Sequence, residues 1–230
     1  MKPQFTLPVL AMLLISLASC NQTKDTSSNG DQKLLDELAF DKDLLGGIRK
    51  HTDSAFRVAE SSADAEMSFK DSADYKRFKE KNVRGLSFSV SEEMSLSILA
   101  DLHDKFKSKG YLLYISENNS GYGADEITVL KTDDMFDALR FEGTNGINYD
   151  IYTDDIIEKL KLWNDQFGLD IFAASFDLVQ ARYIKMPPDM KAHAEETYAF
   201  CPDIVDQGTG SVEALQEETQ KTQQLYLWWD

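Results

Sequence analysis

Residues 83–115 decide the fold, and they read VRGLSFSVSEEMSLSILADLHDKFKSKGYLLYI. The first eight alternate apolar and polar side chains, which predicts a half-buried strand over Val83–Val90. Apolar residues then recur at every fourth position, and this spacing predicts a helix that Ser91 caps and that ends before Gly110. The apolar run Tyr111–Ile115 predicts the next strand. A strand, a helix and a strand in succession favour a mixed α/β architecture.

The same two periodicities continue towards the C-terminus. Further strands are predicted over Glu126–Leu130, Leu169–Ala173, Leu178–Tyr183 and Leu225–Trp229. Further helices are predicted over Thr132–Arg140, Thr153–Phe167, Pro187–Phe200 and Ser211–Gln220. Upstream, helices are predicted over Lys33–Phe40 and Asp43–Lys50, and residues 52–82 are predicted to be irregular or weakly helical. We therefore expect an α+β (mixed α/β) fold, a single compact domain whose mixed sheet has about five to six strands flanked by helices.

The first twenty residues have the pattern of a lipoprotein signal peptide. Lys2 supplies a positive start, and the apolar stretch from Phe5 to Leu17 follows it. That stretch is too short for a transmembrane helix, which needs about 20 residues, and suits the apolar part of a signal peptide. It ends in LASC at residues 17–20, which resembles the bacterial lipobox. The resemblance implies cleavage before Cys20 and a diacylglyceryl thioether on its sulfur.

Lipid on Cys20 predicts a protein anchored in the bacterial cell envelope. Asn21 favours the outer membrane, on its periplasmic or surface face, and several acyl chains hold a protein far more firmly than one. A secreted protein with a chance cysteine at its cleavage site is the alternative. Residues 1–19 are then the signal peptide, and residues 20–32 the lipidated cysteine and a flexible tether. Residues 33–111 form an N-terminal part packed as one unit with the C-terminal domain, residues 112–230.

The charge excludes one class of partner. The chain of 230 residues has 24 basic and 40 acidic side chains, a formal charge of −16. Such a surface repels phosphate backbones, so we expect no nucleic-acid partner. No Walker loop, dinucleotide fingerprint, zinc-protease motif or nucleophile elbow is present, and we expect no cofactor and no metal. A protein, a peptide or a small ligand fits the acidic surface, including a basic partner.

The C-terminal half carries segments that resemble a known family. They are GTNGINY at 143–149, TDDI at 153–156 with LW at 162–163, FCPD at 200–203, DQG at 206–208 and YLWWD at 226–230. Together they resemble the domain of unknown function 4253 family over about residues 112–230. The resemblance implies no established activity, so function has to be argued from individual residues.

The same segments supply the candidate binding residues. These are Asn148, Tyr149, Trp163, Cys201, Asp203, Trp228, Trp229 and Asp230. Successive side chains of a strand point to opposite faces, so Trp228 and Trp229 cannot share one face. Aromatic core packing is sufficient to explain this strand, and a ligand platform is the alternative. Cys201 is either a buried small hydrophobe or a reactive thiol, and the neighbouring acid Asp203 disfavours its thiolate.

Other titratable residues allow weaker hypotheses. Asp150, Asp154 and Asp155 could hold Ca²⁺, but they lack the EF-hand spacing, and acids in the first turn of a helix stabilise it. His193 and Glu196 stand one helical turn apart and lack a third ligand. Two functions stay open. The first is a lipid-anchored binding module with an acidic surface, comparable to the immunity proteins that neutralise basic toxins. The second is an envelope hydrolase that uses carboxylates or Cys201.

Overall fold

A β-sheet lies at the centre of the molecule. The structure is a computed structural model that describes residues 22–119 and 122–230. The mixed α/β fold predicted from the sequence is confirmed. The predicted signal peptide and the lipid site at Cys20 lie outside the described residues. In the described ranges, no helix is both long and apolar enough to cross a bilayer.

Seven strands and eight α-helices make up the described part of the chain. The strands are β1 Arg57–Ala59, β2 Gly85–Val90, β3 Leu112–Glu117, β4 Asp125–Leu130, β5 Leu169–Ala174, β6 Leu178–Tyr183 and β7 Gln224–Trp228. The helices are α1 Gln22–Leu38, α2 Lys42–Ile48, α3 Ser72–Lys81, α4 Glu92–Lys107, α5 Asp137–Glu142, α6 Thr153–Phe167, α7 Met190–Phe200 and α8 Val212–Thr222. A 3-10 turn over Ile147–Tyr149 and a π-helical turn over Ile204–Thr209 complete the set.

The sheet is open, with strand order β1-β2-β4-β3-β5-β6-β7. All neighbours are antiparallel except β3 and β5, which run parallel. The prediction of five to six strands missed β1, which lies within residues 52–82. That edge strand has three residues, and Arg57 and Val58 are exposed. It is therefore too short and too polar to show an alternating pattern.

Each face of the sheet is covered by helices, because neighbouring strand residues point to opposite faces. Leu113 and Ile115 of β3 pack in a core with the buried faces of α1, α2 and α4. Leu112 and Tyr114 pack in a second core with α5, α6, α7 and α8. Trp163 is fully buried in that second core. The burial of Ile98, Leu102 and Phe106 in α4, and of Ile156, Leu160 and Trp163 in α6, confirms the four-residue apolar spacing predicted for these helices.

The N-terminal helix differs from the prediction. Residues 22–32 were predicted as a flexible tether, and in the structure they are helical. The Asp31 carboxylate accepts hydrogen bonds from Nε and Nη2 of Arg49, each at 2.9 Å. Leu35 and Leu38 are buried against the sheet. This two-pronged ion pair joins positions distant in sequence, so no local pattern indicates it.

Some predicted helix starts are confirmed and others are wrong. Pro187 does not begin α7, because Asp189 caps that helix by accepting a hydrogen bond from the Ala192 amide at 3.0 Å. Ser211 caps α8, because its Oγ accepts a hydrogen bond from the Ala214 amide at 3.1 Å. Asp155 accepts a hydrogen bond from the backbone N–H just before α6, as expected of a first-turn acid. Thr132 does not begin α5, which starts at Asp137. The Thr132 hydroxyl instead donates to Asp137 Oδ2 at 2.7 Å and fixes the preceding turn.

Candidate functional site

The parallel pair β3 and β5 marks a point where the chain changes direction across the sheet. The chain continues from β3 to β4 on one side and from β5 to β6 on the other. The carboxyl ends of such a pair open a crevice, the usual ligand position in open α/β sheets. Here Ser116 and Glu117 end β3, and Ser175 follows β5. A bulge at Ser116 interrupts the β3–β4 register at the mouth of the crevice.

Two adjoining cavities lie at this crevice, and we call them together the groove. The larger has a volume of about 720 Å³, and its walls include Arg57, Glu60, Ser87, Glu126, Thr128 and Glu142. The smaller has a volume of about 350 Å³, and its walls include Asn118, Asp177, Gln180, Tyr226 and Trp228. Both cavities share Ser116, Glu117 and Ser175. These volumes fall in the range typical of ligand sites.

Acidic side chains outnumber basic ones on the described walls of the groove. The carboxylates are those of Glu60, Glu117, Glu126, Glu142 and Asp177. Among the described lining residues Arg57 is the one arginine or lysine, and it is already ion-paired with Glu126. The Ser89 hydroxyl also donates to Glu126, at 2.9 Å. The groove therefore has an excess of negative charge that its own residues do not neutralise.

Glu142, the last residue of α5, is the most deeply buried of these acids, with 9% of its surface exposed. The Tyr114 hydroxyl donates a hydrogen bond to its Oε1 atom at 2.6 Å. Burial raises the pKa of Glu142 to about 7, the bond from Tyr114 opposes that rise, and the charge of Glu126 adds to it. No described residue donates a hydrogen bond to the other carboxyl oxygen, Oε2.

Hydroxyl groups form the floor of the larger cavity beside Glu142. The Thr128 hydroxyl donates to the Ser116 hydroxyl at 2.8 Å. Burial first, and then the charge of Glu142, raise the pKa of Tyr114 well above its usual value. Tyr114 therefore keeps its proton and serves Glu142 as a hydrogen-bond donor. The floor offers neutral hydrogen-bonding groups, and the walls supply the charge.

The candidate residues from the sequence motifs are largely brought together elsewhere. Asp203 accepts hydrogen bonds from the Tyr149 hydroxyl at 2.5 Å, from Gln207 Nε2 at 3.1 Å and from the Asp230 amide at 2.9 Å. The Asn148 side-chain amide donates to the Asp230 carbonyl at 2.6 Å. We call this cluster, with Cys201 and Trp229, the C-terminal lock. Its polar groups bind one another and hold the end of the chain.

Cys201 and Trp229 complete the C-terminal lock. The Cys201 thiol donates to the Trp228 carbonyl at 3.0 Å and accepts from the Trp228 amide at 3.3 Å. Burial raises the pKa of this thiol to about 12, so it is a buried, protonated side chain. Trp229 is buried against Gly146, where a Cβ atom would lie 2.6 Å from the indole ring. A glycine is therefore required at Gly146 for close approach.

The two tryptophans of β7 face opposite ways, as strand alternation predicts. Trp228 and Tyr226 line the smaller cavity, whereas Trp229 is buried. The Trp228 indole N–H donates to Asp177 at 3.3 Å, which fixes the ring at the wall. Of the candidate binding residues, Trp228 lines the groove. Trp163 is in the core, edge-on to His193.

The groove acids carry no sequence motif and were not predicted. Glu142 directly precedes the GTNGINY segment, yet its position gives no sign that it faces a cavity. Two signals could have found the floor: Thr128 interrupts an apolar strand, and Ser87 lies on the polar side of an alternating one. Both side chains are buried, and a buried hydroxyl in a strand needs a partner.

Three potential metal ligands meet at a second place that the sequence did not indicate. The ligand atoms of His103, Asp104 and Asp170 lie within 4.8 Å of one another. The Lys107 ammonium group donates to Asp170 Oδ1 at 2.6 Å, and His103 Nε2 lies 3.1 Å from the same oxygen. Two side chains thus already share that oxygen, and Arg182 lies 3.9 Å from the other. We interpret the cluster as an ion-pair network between α4 and β5.

The fold and groove together define an open-sheet α/β domain with a crevice at its change of strand direction. The family model described as "Domain of unknown function (DUF4253)" matches residues 126–230. The match covers the quoted segments and begins at Glu126, later than the start at about residue 112 expected from the resemblance. No curated protein and no solved structure matches the chain. The groove draws residues from both sides of Glu126.

Proposed function

We propose that this protein is a binding module that holds a basic segment of a protein or peptide partner in the groove. One observation carries the proposal. Five carboxylates line two adjoining cavities, and the arginine among the described lining residues is already paired with Glu126. A ligand that brings ammonium or guanidinium groups would neutralise the excess. Acidic side chains without such a partner repel one another and lower the stability of the fold.

Three further properties support a basic ligand. The formal charge of −16 attracts cationic partners over long range and raises their association rate. Tyr226 and Trp228 offer aromatic surface in the smaller cavity, where the methylene stems of lysine or arginine can pack. Aromatic faces also attract cations. The combination of aromatic wall and carboxylate rim suits basic side chains better than anions.

A titration calorimetry experiment tests this proposal. The full-length chain, purified in detergent micelles, is titrated with an octapeptide rich in lysine and arginine and with an acidic octapeptide. We expect binding of the basic peptide alone. Glu117→Gln, at the junction of the two cavities, should weaken binding about threefold to tenfold, which corresponds to roughly 0.7–1.4 kcal/mol.

The matched control is Glu217→Gln, because Glu217 is an equally exposed glutamate on α8 outside the groove. It removes the same charge from the protein and should leave the affinity within about twofold. Equal affinity for the two peptides, or equal losses in both variants, would show that the groove does not recognise the basic peptide.

We also propose that the protein is anchored in a bacterial envelope, at the outer membrane, by lipid on Cys20. The support is the sequence LASC at residues 17–20 after an apolar stretch. Metabolic labelling with radioactive palmitate should mark the protein in its native cell. Cys20→Ala should abolish the label and release the protein from membranes. Membrane association that survives this substitution would refute the anchor.

An envelope hydrolase is the second candidate, and one observation favours a carboxylate mechanism. Glu142 and Glu126 line the same cavity, and the pKa of Glu142 is raised to about 7 while Glu126 is ion-paired with Arg57. Two carboxyl groups in such different environments can act as acid and base. Cys201 supports a hydrolase less well, because its thiol has a pKa of about 12. Turnover of nitrophenyl esters or glycosides that Glu142→Gln abolishes would favour this candidate.

A further inference from the structure

We infer that Glu142 determines the charge specificity of the groove: a cationic group of the ligand binds its Oε2 atom and displaces the proton that this atom carries. The inference rests on the proposed function and names the residue that selects the ligand. It also makes ligand binding a proton-releasing event. The argument uses the surroundings of the two carboxyl oxygens and the charges that line the larger cavity.

The two oxygens of Glu142 have different surroundings. Oε1 accepts the hydrogen bond from the Tyr114 hydroxyl at 2.6 Å. The carbonyl oxygen of a carboxylic acid is a better hydrogen-bond acceptor than its hydroxyl oxygen, so this bond favours the neutral form of Glu142 that carries its proton on Oε2. Oε2 receives no hydrogen bond from a described residue, and Glu142 lines the larger cavity. A ligand in the cavity therefore meets Oε2.

Ionised Glu142 is poorly compensated by the protein. A carboxylate that is nine-tenths buried with one hydrogen bond has lost most of its hydration, which is costly unless a positive charge pairs with it. Arg57 is the cation among the described walls, and it is paired with Glu126. An incoming ammonium or guanidinium group supplies both the missing hydrogen bond and the missing charge.

The other titratable groups around the cavity act in the same direction. Tyr114 on β3 stays neutral, and Glu126 on β4 raises the pKa of Glu142 further. Glu60 after β1 and Glu117 at the end of β3 add negative charge at the rim. A cation in the cavity is thus favoured by every one of these acids, while an anion is repelled by all of them.

The consequence is a pH-dependent affinity with a defined sign. Below the pKa of about 7, a cation has to displace the Oε2 proton, so its affinity falls by up to tenfold for each unit that the pH drops. Above that pKa the proton is already absent, and the affinity reaches a plateau. A neutral polyol ligand would behave in the opposite way, because protonated Oε2 would donate a hydrogen bond to it.

The test is calorimetric titration of the full-length chain with a basic octapeptide at pH 5.5, 6.5, 7.5 and 8.5. The peptide carries an acetylated N-terminus, an amidated C-terminus and no histidine, so its charge is constant over this range. Two buffers with different ionisation enthalpies report the protons released. We expect the affinity to rise about tenfold or more from pH 5.5 to 7.5 and to change little above that. Close to one proton should leave per peptide bound at pH 5.5.

Two variants assign the proton to Glu142. Glu142→Gln keeps an oxygen that can accept the Tyr114 bond, and it should bind weakly with a flat pH profile. Tyr114→Phe removes the bond to Oε1 while Glu142 remains, and it should shift the midpoint of the profile to higher pH. Glu117→Gln is the control: it should weaken binding while the pH profile keeps its shape. Circular dichroism verifies that each variant is folded.

The outcomes separate the inference from the function on which it rests. Binding of the basic peptide that does not depend on pH, or a pH profile that survives in Glu142→Gln, would overturn the role of Glu142 and leave the groove function standing. Affinity for the basic peptide that falls as the pH rises would overturn the inference. Absence of binding at every pH would remove the groove function, and the inference with it.

Discussion

The C-terminal lock and the groove are both polar, yet their polar groups are used in different ways. In the lock, the Asp203 carboxylate accepts three hydrogen bonds from within the protein, and Trp229 is buried against Gly146. In the groove, Glu142 has one donor among the described residues and an oxygen that faces a cavity. The hydrogen bonds of Asp203 and Cys201 in the lock are made within the protein, although the buried Trp229 Nε1–H has no partner among the described residues. The groove instead leaves negative charge that its own residues do not pair.

The distinctive sequence motifs and the unpaired acidic side chains lie in different parts of the molecule. The segments that resemble the family, GTNGINY, FCPD and YLWWD, meet in the lock and bind one another. Their residue types are explained by the contacts that hold the end of the chain against the sheet. The groove instead combines strand ends from distant parts of the chain, with Arg57 and Ser116 before the family match and Glu142 within it. A distinctive motif therefore need not mark the ligand site.

Among changes to the lock, removal of the Trp229 side chain should have the largest effect on stability. Trp229→Ala should lower the free energy of unfolding by about 3–5 kcal/mol, because the indole is fully enclosed and its loss leaves a cavity. Trp228→Ala should cost clearly less, since that ring is partly exposed at the groove wall. Urea unfolding monitored by circular dichroism measures both. Equal losses would contradict the division of the two tryptophans between core and groove.

Asp203 tests whether the polar part of the lock is structural. Although burial alone raises the pKa of Asp203, the donors Tyr149 and Asp230 hold it below its usual value. Asp203→Asn replaces charged hydrogen bonds with neutral ones, and we expect a loss of about 2–3 kcal/mol in urea unfolding. Asp206→Asn, at an exposed neighbour, should change stability by less than 1 kcal/mol. A null effect at Asp203 would mean that the cluster contributes little to the fold.

The pKa of Glu142 is shifted in the opposite direction to that of Asp203, because the fold disfavours the charged form of Glu142. Its pKa is about 7, against an ordinary value of 4.5, so the folded state binds the proton more tightly than the unfolded state. The contribution of Glu142 to wild-type stability should therefore fall as the pH rises from about 4.5 to 7. Glu142→Gln should lack this loss, and its stability relative to wild type should rise by about 2 kcal/mol between pH 5 and 8. A stability difference between Glu142→Gln and wild type that does not depend on pH would contradict the raised pKa of Glu142.

The smallest expected effect concerns His193, in the core beneath the lock, and appears at acidic pH. Its Nε2 lies 2.6 Å from the Tyr183 hydroxyl, and its Nδ1 is buried without a partner in the described residues. Burial first, with the charge of Lys159, lowers the pKa of His193 below the ordinary 6.5. The contribution of His193 to stability should thus fall as the pH drops below about 6.5, by roughly 1 kcal/mol per unit. His193→Gln should flatten that slope, and an unchanged slope would exclude His193 as its cause.

The sequence predicts the regular part of the fold well. Strand alternation gave β2 and the opposite orientation of Trp228 and Trp229, and four-residue spacing gave α4 and α6. These elements are visible in sequence because one face of each is buried in a continuous core. The N-terminal extension of α1 was not predictable, because Asp31 is held by Arg49, a partner from another helix. The three-residue strand β1 is too short for any pattern.

The site is harder to predict than the fold, and Glu142 shows why. A glutamate at the end of a short helix is usually solvated, and its burial arises from the way α5 packs over β3 and β5. The parallel pairing of Ile115 with Ala173 brings Ser116 and Ser175, two residues far apart in sequence, to the same cavities. Such a crevice is a property of strand order, which periodicity does not report.

The most direct test of the central claim is a map of where a basic ligand binds. Uniformly ¹⁵N-labelled full-length protein is titrated with the basic octapeptide, and backbone amide shifts are recorded by NMR at pH 7.5. We predict that Ser116, Glu117 and Ser175 at the groove shift most, while Asn148 and Tyr149 in the lock stay within error. Shifts confined to the lock, or absent from the groove at saturating peptide, would contradict the assignment of the groove as the ligand site.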